Sequence, residues 1–266
     1  MLQSLERREV PAIINVTSAG DSGAGTLRQA ILDAASGSFP GADTITIDPS
    51  VTTITLLSEI TINDTTGDVT IIGNGAGVTT IQGGAFRAFN INSTAALTVT
   101  IEKLKINGFT SSANGGAILI ADETLVANTV TFSNNKAANG GAISTASNGA
   151  SITLNSSTIT QNTATTFGGG IHVGAATATL TITTSALTSN SSGSSGLVSG
   201  GAIGTTTTLN ATISNSTISN NATNGGGAGI AASAGTITIT NSTFNANTAA
   251  SNGGAFSTGT VTLNAS

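Results

Sequence analysis

A recurring glycine pair limits what this chain can fold into more than any other feature. It stands at Gly83-Gly84, Gly115-Gly116, Gly140-Gly141, Gly168-Gly169, Gly200-Gly201, Gly226-Gly227 and Gly253-Gly254. Steps between first glycines are 32, 25, 28, 32, 26 and 27 residues. The fullest copy, Phe132-Ser133-Asn134-Asn135-Lys136-Ala137-Ala138-Asn139-Gly140-Gly141-Ala142-Ile143, ends on a small residue and then a large apolar one. A period of this size marks a solenoid, in which each repeat is one turn of chain stacked on its neighbour.

Between glycine pairs the chain alternates apolar residues with Thr, Ser and Asn, the mark of half-buried strands. From Val99 the register becomes strict: apolar, any residue, apolar, four residues, apolar, two residues, Asn. It is met by Leu125/Ala127/Phe132/Asn135, Ile152/Leu154/Ile159/Asn162, Leu180/Ile182/Leu187/Asn190, Ala211/Ile213/Ile218/Asn221 and Ile237/Ile239/Phe244/Asn247. Val99/Ile101/Ile106 fits too, with Phe109 in the Asn slot. An apolar residue after each glycine pair, such as Ile143 or Ile171, completes about four large inward side chains per coil. Burying each contributes roughly 1.5–3 kcal/mol. Ordering a coil of some 25 residues costs about 1–2 kcal/mol per residue, so one coil cannot stand alone. Stacked coils share a core and satisfy each other's backbone groups, which predicts parallel pairing along the stack.

The same stacking explains the charge. Only 7% of the 266 residues are charged, against roughly 25% in ordinary domains. Equivalent residues in stacked coils lie about 4.8 Å apart, where like charges repel by roughly 0.9 kcal/mol per pair even in water. Neutral Asn, Thr and Ser ladders avoid that repulsion and can hydrogen-bond along the stack. The net charge of −5 comes entirely from the first half, and beyond Lys136 no Asp, Glu, Lys or Arg occurs. That excludes a basic nucleic-acid footprint over half the molecule. No run approaches the ~20 apolar residues of a membrane-spanning helix. With no Cys, disulfide stapling and thiol chemistry are excluded.

Three regions follow. Residues 1–11 read as a flexible tail that carries Glu6, Arg7 and Arg8 but no apolar stretch of signal-peptide type. Residues 12–43 form an N-terminal cap: a strand at Ile13-Ile14-Asn15-Val16-Thr17, then a helix. Thr26 caps that helix with Gln29 in capping-box spacing, Leu27, Ala30, Ile31 and Ala34 make one apolar face, and Gly37 stops it. Residues 44–266 are solenoid coils, opening with Thr44-Ile45-Thr46-Ile47. Thr260-Val261-Thr262-Leu263-Asn264 begins a further coil, so the chain is expected to be a segment of a longer repeat protein or to self-associate end to end through that open coil.

Catalytic constellations are hard to assemble from these residues. His172, the sole histidine, lies between inward Ile171 and Val173, so it is expected to face solvent without an orienting partner. A polysaccharide-active site needs carboxylates for calcium or acid–base work. Asp43, Asp48, Glu59, Asp64, Asp68, Glu102, Asp122 and Glu123 are instead scattered over the early coils without a common column. Asp64 and Asp68 flank Thr65-Thr66-Gly67 as turn residues, with a calcium-binding turn as the alternative. Gly73-Asn74-Gly75-Ala76-Gly77 has no helix behind it and reads as a turn, not a phosphate loop. Lys103 and Lys105 alternate with Leu104 and Ile106 as outward, solubilising residues. No catalytic residue, metal or cofactor is expected.

A binding face is easier to find. Outward residues flank the first apolar position of each coil: Thr98/Thr100, Thr124/Val126, Ser151/Thr153, Thr179/Thr181, Asn210/Thr212, Thr236/Thr238 and Thr260/Thr262. The files would be roughly 7 Å apart along the strand and about 4.8 Å between coils. This array resembles the Thr-x-Thr faces of ice-binding β-solenoids, although threonine is favoured on any solvated strand face. Neutral hydroxyl and amide ladders could equally contact glycans.

The repeats themselves are similar to those of the polymorphic outer membrane protein family, bacterial surface proteins whose repeats carry Gly-Gly-Ala-Ile and Phe-x-x-Asn. Phe132-Ser133-Asn134-Asn135 and Phe244-Asn245-Ala246-Asn247 match the second element, while Ile159, Leu187 and Ile218 replace its Phe in other coils. Gly25-Thr26-Leu27-Arg28-Gln29-Ala30-Ile31 resembles the CSLREA-like segment at the head of many bacterial surface β-helix proteins. Pro40-Gly41-Ala42-Asp43-Thr44-Ile45 fits the same group. Leu5-Glu6-Arg7-Arg8 before Pro11 is similar to a motif at the start of some exported bacterial proteins. The resemblance implies an all-β, right-handed parallel β-helix with a short capping helix, secreted or held at the cell surface in association with the outer membrane. It implies an adhesin contacting a host-cell, matrix or glycan ligand, or a structural spacer, and not an enzyme. Ice binding and a pectate-lyase-like activity on polysaccharides are the alternative readings.

Overall fold

The computed structural model describes residues 11–36, 41–196 and 198–265; residues 1–10 of the expected tail, the Gly37 helix stop and Pro40 lie outside them. The chain winds into a parallel β-solenoid of about nine turns, with one helix that accounts for 3% of it. Strands pair only with the equivalent strand of the next coil, as in Thr124–Asn128 between Thr98–Glu102 and Ser151–Asn155.

Each later coil has four faces. The first carries strands such as Thr124–Asn128, Ser151–Asn155 and Thr179–Thr183, and the second carries Thr131–Ser133, Thr158–Thr160 and Ala186–Thr188. A short third face holds Lys136–Ala137, Thr163–Ala164, Ser191–Ser192, Ala222–Thr223 and Thr248–Ala249. The fourth holds Ile118–Ile120, Ile143–Thr145 and Ile171–Val173. In the last coils the fourth and first faces merge into the long strands Ile203–Ser214, Ile230–Thr240 and Phe256–Ala265. The inward register holds: Leu125, Phe132, Ile152, Leu154, Ile159, Ile182, Leu187 and Ile213 are all completely buried.

Corners are closed by three devices. Both ends of the second face need a left-handed residue, supplied in one coil by Thr129 and Asn134 (φ 57° and 55°) and in another by Asn215 and Asn220 (φ 50° and 56°). Past that face the buried asparagines form a ladder. Asn190 Oδ1 accepts from both N and Nδ2 of Asn162 (3.1 and 3.0 Å), and Asn190 Nδ2 donates to Ile159 O at 2.9 Å. Asn135, Asn221 and Asn247 repeat this arrangement. A second ladder has no counterpart in the sequence reading: Ser157, Ser185, Ser216 and Ser242 each accept the backbone N–H of the coil before.

The glycine pair is the third device. Its first residue is left-handed at Gly115, Gly140, Gly168, Gly200 and Gly253. A Cβ at Gly168 would lie 2.0 Å from Ile171 O, so only glycine allows the corner to fold back over the strand that follows. Two of the seven pairs do not fit the period as read. In the sixth, Gly227 is the left-handed residue (φ 71°), three before Ile230, so Gly226 is one residue early. Gly83-Gly84 occupies another corner: Thr110 N bonds Gly84 O just as Lys136 N bonds Phe109 O, which aligns Gly84 with Phe109 and Asn135. Phe109 fills the Asn slot because its ring covers Gly83, where a Cβ would lie 2.1 Å away.

The expected helix forms. Leu27–Ala34 is a helix with Leu27, Ala30, Ile31 and Ala34 buried, and Thr26 accepts Gln29 N at its N-terminus. The reciprocal half of the capping box is not made, because Gln29 Nε2 donates to Asp33 Oδ1 instead. Arg28 clamps the helix to the coils, pairing with Asp21 at 2.7 Å and donating to Glu59 O and Ser58 O.

Candidate functional site

The first face brings the expected threonine array together as far as Thr236/Thr238; in the last coil Thr262, not Thr260, pairs with Thr236, so the expected Thr260/Thr262 pair lies two residues out of register. Thr98, Thr124, Ser151, Thr179, Asn210 and Thr236 are in register, and so are Thr100, Val126, Thr153, Thr181, Thr212 and Thr238. The second file extends further back than the sequence reading took it, through Thr70 to Thr44. A third file, missed before, runs through Glu102, Asn128, Asn155, Thr183, Ser214 and Thr240. Its side chains bond along the stack: Asn155 Nδ2 to Asn128 Oδ1 at 2.9 Å and Asn128 Nδ2 to Glu102 Oε1 at 2.8 Å. The signal was available, since from Thr98–Glu102 onward the last inward apolar residue of each first-face strand is followed directly by a polar one. The second face carries a shorter run of outward hydroxyls, Thr131, Thr158, Thr160 and Thr217, while Ser133 and Ser219 are buried.

The short third face forms a groove. Past Lys136 its outward residues are small: Thr163, Ser191, Ala222 and Thr248. A depression of about 600 Å³ runs past Lys136, Thr163, Ser191, Ala222 and Thr248. A second, of about 300 Å³, continues it toward Ala85 and Thr110, and the two share Lys136 and Thr165. Lys136 is exposed and is the last charged residue in the chain. The sequence signal for this groove was weak: two-residue strands of small residues just after the Asn ladder.

His172 is a correction. Its backbone register is as expected, with Ile171 and Val173 completely buried, yet His172 itself is only 6% exposed. The outward side of the fourth face is covered by the glycine corner, which folds back across it. A Cβ at Gly140 would lie 3.0 Å from Ser144 Cβ, and one at Gly168 would lie 2.9 Å from His172 Cα. Under this cover Ser144 Oγ lies 3.0 Å from His172 Nδ1, and the Phe167 ring stacks on the imidazole with centroids 6.1 Å apart. Burial pushes the His172 pKa down to about 4, so the ring is neutral at physiological pH.

The early-coil carboxylates are engaged in structure. Asp48 Oδ1 accepts Ser50 N and Oγ, which holds its pKa below the usual carboxylate range. Asp68 Oδ1 accepts Thr98 N, and Glu123 accepts Ser93 N and Asp122 N. Glu59 pairs with Arg87. Asp64 closes its turn by accepting Thr66 N and Oγ1, both at 2.7 Å. Asn74 ties the Gly73–Gly77 turn to Ile47 O and Thr79 Oγ1, as a turn residue should. Among the described residues no three His, Cys, Asp or Glu side chains converge as a metal site would require. No helix among the described residues is long and apolar enough to cross a membrane.

Residues 129–146 and 156–174 match the Chlamydia polymorphic membrane protein repeat. Each match runs from the left-handed corner through the second, third and fourth faces, so the repeat is a three-face unit of two successive coils. The chain thus carries repeats of the polymorphic membrane protein type, folded as a parallel β-solenoid. It matches no curated protein and no solved structure.

Proposed function

We propose that this chain is a non-enzymatic, surface-displayed or secreted β-solenoid that acts as an adhesin. It contacts an extended glycan along the third-face groove. The observation that carries this reading is the groove itself: two adjoining depressions along the stack, lined by threonine, serine and alanine side chains with Asn224 and one cation, Lys136. Neutral hydroxyls beside small apolar surface suit a polymer of sugar rings and hydroxyls, and a single ammonium suits an occasional acidic unit. The polymorphic membrane protein repeats support display at the outer surface. A glycan array probed with the purified chain tests it. Ala222→Trp, on an exposed position, should block the groove and abolish binding with the fold unchanged by circular dichroism. Undiminished binding in that variant, or turnover of a uronate polymer by the wild type, would sink the reading.

The in-register extension of the threonine file to Thr70 and Thr44 favours ice binding as a second reading. It requires thermal hysteresis that Thr181→Lys removes; a wild-type chain without hysteresis disposes of it.

A further inference from the structure

Asp43 stands at an inward position of the first face, in the file that continues through Val69, Val99 and Leu125. A carboxylate there is as buried as those apolar residues: Asp43 is 1% exposed, and Asp64, at the neighbouring corner, 2%. One oxygen of each is used. Asp43 Oδ1 accepts Ala12 N at 2.9 Å, and Asp64 Oδ1 holds its own turn. The other oxygen of each, Oδ2, is buried with no hydrogen-bond partner, and no other carboxylate oxygen among the described residues is left so. Neither residue belongs to the two ion pairs formed by the described residues, Arg28–Asp21 and Arg87–Glu59. The Asp64 charge also reaches Asp43. Desolvation is the main cause that raises the Asp43 pKa, and the Asp64 charge adds to it.

Two buried carboxylates cannot both stay ionised without a counter-charge. A proton on Asp43 would quench one charge but leave a buried O–H needing an acceptor. A divalent cation serves both free oxygens and balances both charges. The turn that carries Asp64 packs directly on the segment that carries Asp43: Asp43 N donates to Asp68 O at 2.8 Å, and a Cβ on Gly67 would lie 2.2 Å from Gly41 O. Carboxylate and carbonyl oxygens together suit a hard ion with flexible coordination. We propose that Asp43 and Asp64 bind a calcium ion through their Oδ2 atoms, joining the N-terminal cap to the first coils. The pairing differs from the turn suspected in the sequence, because Asp68 is exposed and is spent on Thr98 N.

The test uses the full chain, stripped with EDTA at pH 7 and titrated with calcium chloride by calorimetry and by thermal unfolding. One calcium per chain is expected, with the midpoint raised by about 5 °C at a hundredfold excess over the dissociation constant. Asp43→Asn and Asp64→Asn should each weaken binding at least about tenfold. A wild-type chain that neither binds calcium nor shifts its midpoint overturns the proposal, whether or not the variants fold. An undiminished response in the double variant would place the ion elsewhere and overturn it too. Indifference to calcium together with a gain in stability from Asp43→Asn would identify a buried proton in place of the cation.

Discussion

The early and late coils solve one problem with different chemistry. Both must satisfy the backbone groups at every corner. Up to Lys136 the solutions are individual: Glu123 reaches to Ser93 N, Arg87 donates to Asn114 O, and Phe109 fills a corner with its ring. Past Lys136 they are collective, since the asparagine and serine ladders repeat one bond through every coil. A charge is useful once at a corner and repulsive when stacked on its copy. The charge-free half is therefore the half in which the asparagine and serine ladders run unbroken.

If that contrast is right, the largest effect belongs to the middle of the asparagine ladder. Asn190→Ala strips the side-chain acceptor from Asn162 N and leaves Ile159 O short of a donor, both buried, while Asn162 Nδ2 keeps Phe132 O and Thr160 O. Each orphaned group costs about 1–3 kcal/mol, so a loss of about 4 kcal/mol is expected in urea denaturation. Asn247→Ala should lose only about 1 kcal/mol, because that rung is half-buried and water can replace it. Equal losses at the two rungs would break the idea of a cooperative ladder.

Glycine substitutions come next. Gly168→Ala meets both a left-handed backbone (φ 62°) and Ile171 O at 2.0 Å, and should cost about 3 kcal/mol. In the early turn at Gly77 a Cβ would meet nothing within 4 Å, and Gly77→Ala should gain about 0.5 kcal/mol. Thermal unfolding of the pair separates structural glycines from incidental ones.

Acid should also divide the halves. His172 is the sole titratable side chain beyond Lys136. Its folded pKa of about 4 lies below the 6.5 of an unperturbed histidine, so the unfolded chain binds the extra proton between these values. Its contribution is therefore constant above about pH 6.5 and is lost as pH falls toward 4, on the order of 3 kcal/mol in all. The late coils, followed by amide exchange at pH 7 and pH 4.5, should loosen in the wild type. In His172→Gln they should loosen less, and identical pH dependence in the two proteins would contradict burial of a neutral imidazole.

The sequence showed the solenoid period, the inward register, the helix cap and the asparagine ladder, because each repeats at fixed spacing. What it hid was the outer cover. Alternation assigns His172 to the outside of its strand, but whether the outside is solvent depends on the Gly168 corner folding back over it. That is a tertiary fact with no local period. The serine ladder was legible in principle, as Ser157, Ser185, Ser216 and Ser242 each precede the second-face apolar residue by two. Gly83-Gly84 misled for the opposite reason: it repeats the motif but sits at another corner. The third-face groove arises from what small side chains leave open.

The smallest prediction asks what the two halves share. From Lys103 onward the corner before the second face is left-handed, at Lys103, Thr129, Ser156, Thr184, Asn215 and Asn241. A β-branched residue is poorly suited to that backbone, whereas Asn tolerates it. Thr184 is exposed and left-handed at φ 52°, and Asn241 Nδ2 already donates to Asn215 Oδ1 at 2.6 Å in the same column. Thr184→Asn should gain about 1 kcal/mol by relieving strain and lengthening that column. Lys103→Asn relieves less strain, as lysine is unbranched at Cβ, and should gain about half as much. Gains at both sites, read as denaturation midpoints, would mean that the left-handed corner is common property of the solenoid. A gain confined to Thr184 would make the corner part of the ladder system and extend the contrast between the halves to the backbone itself.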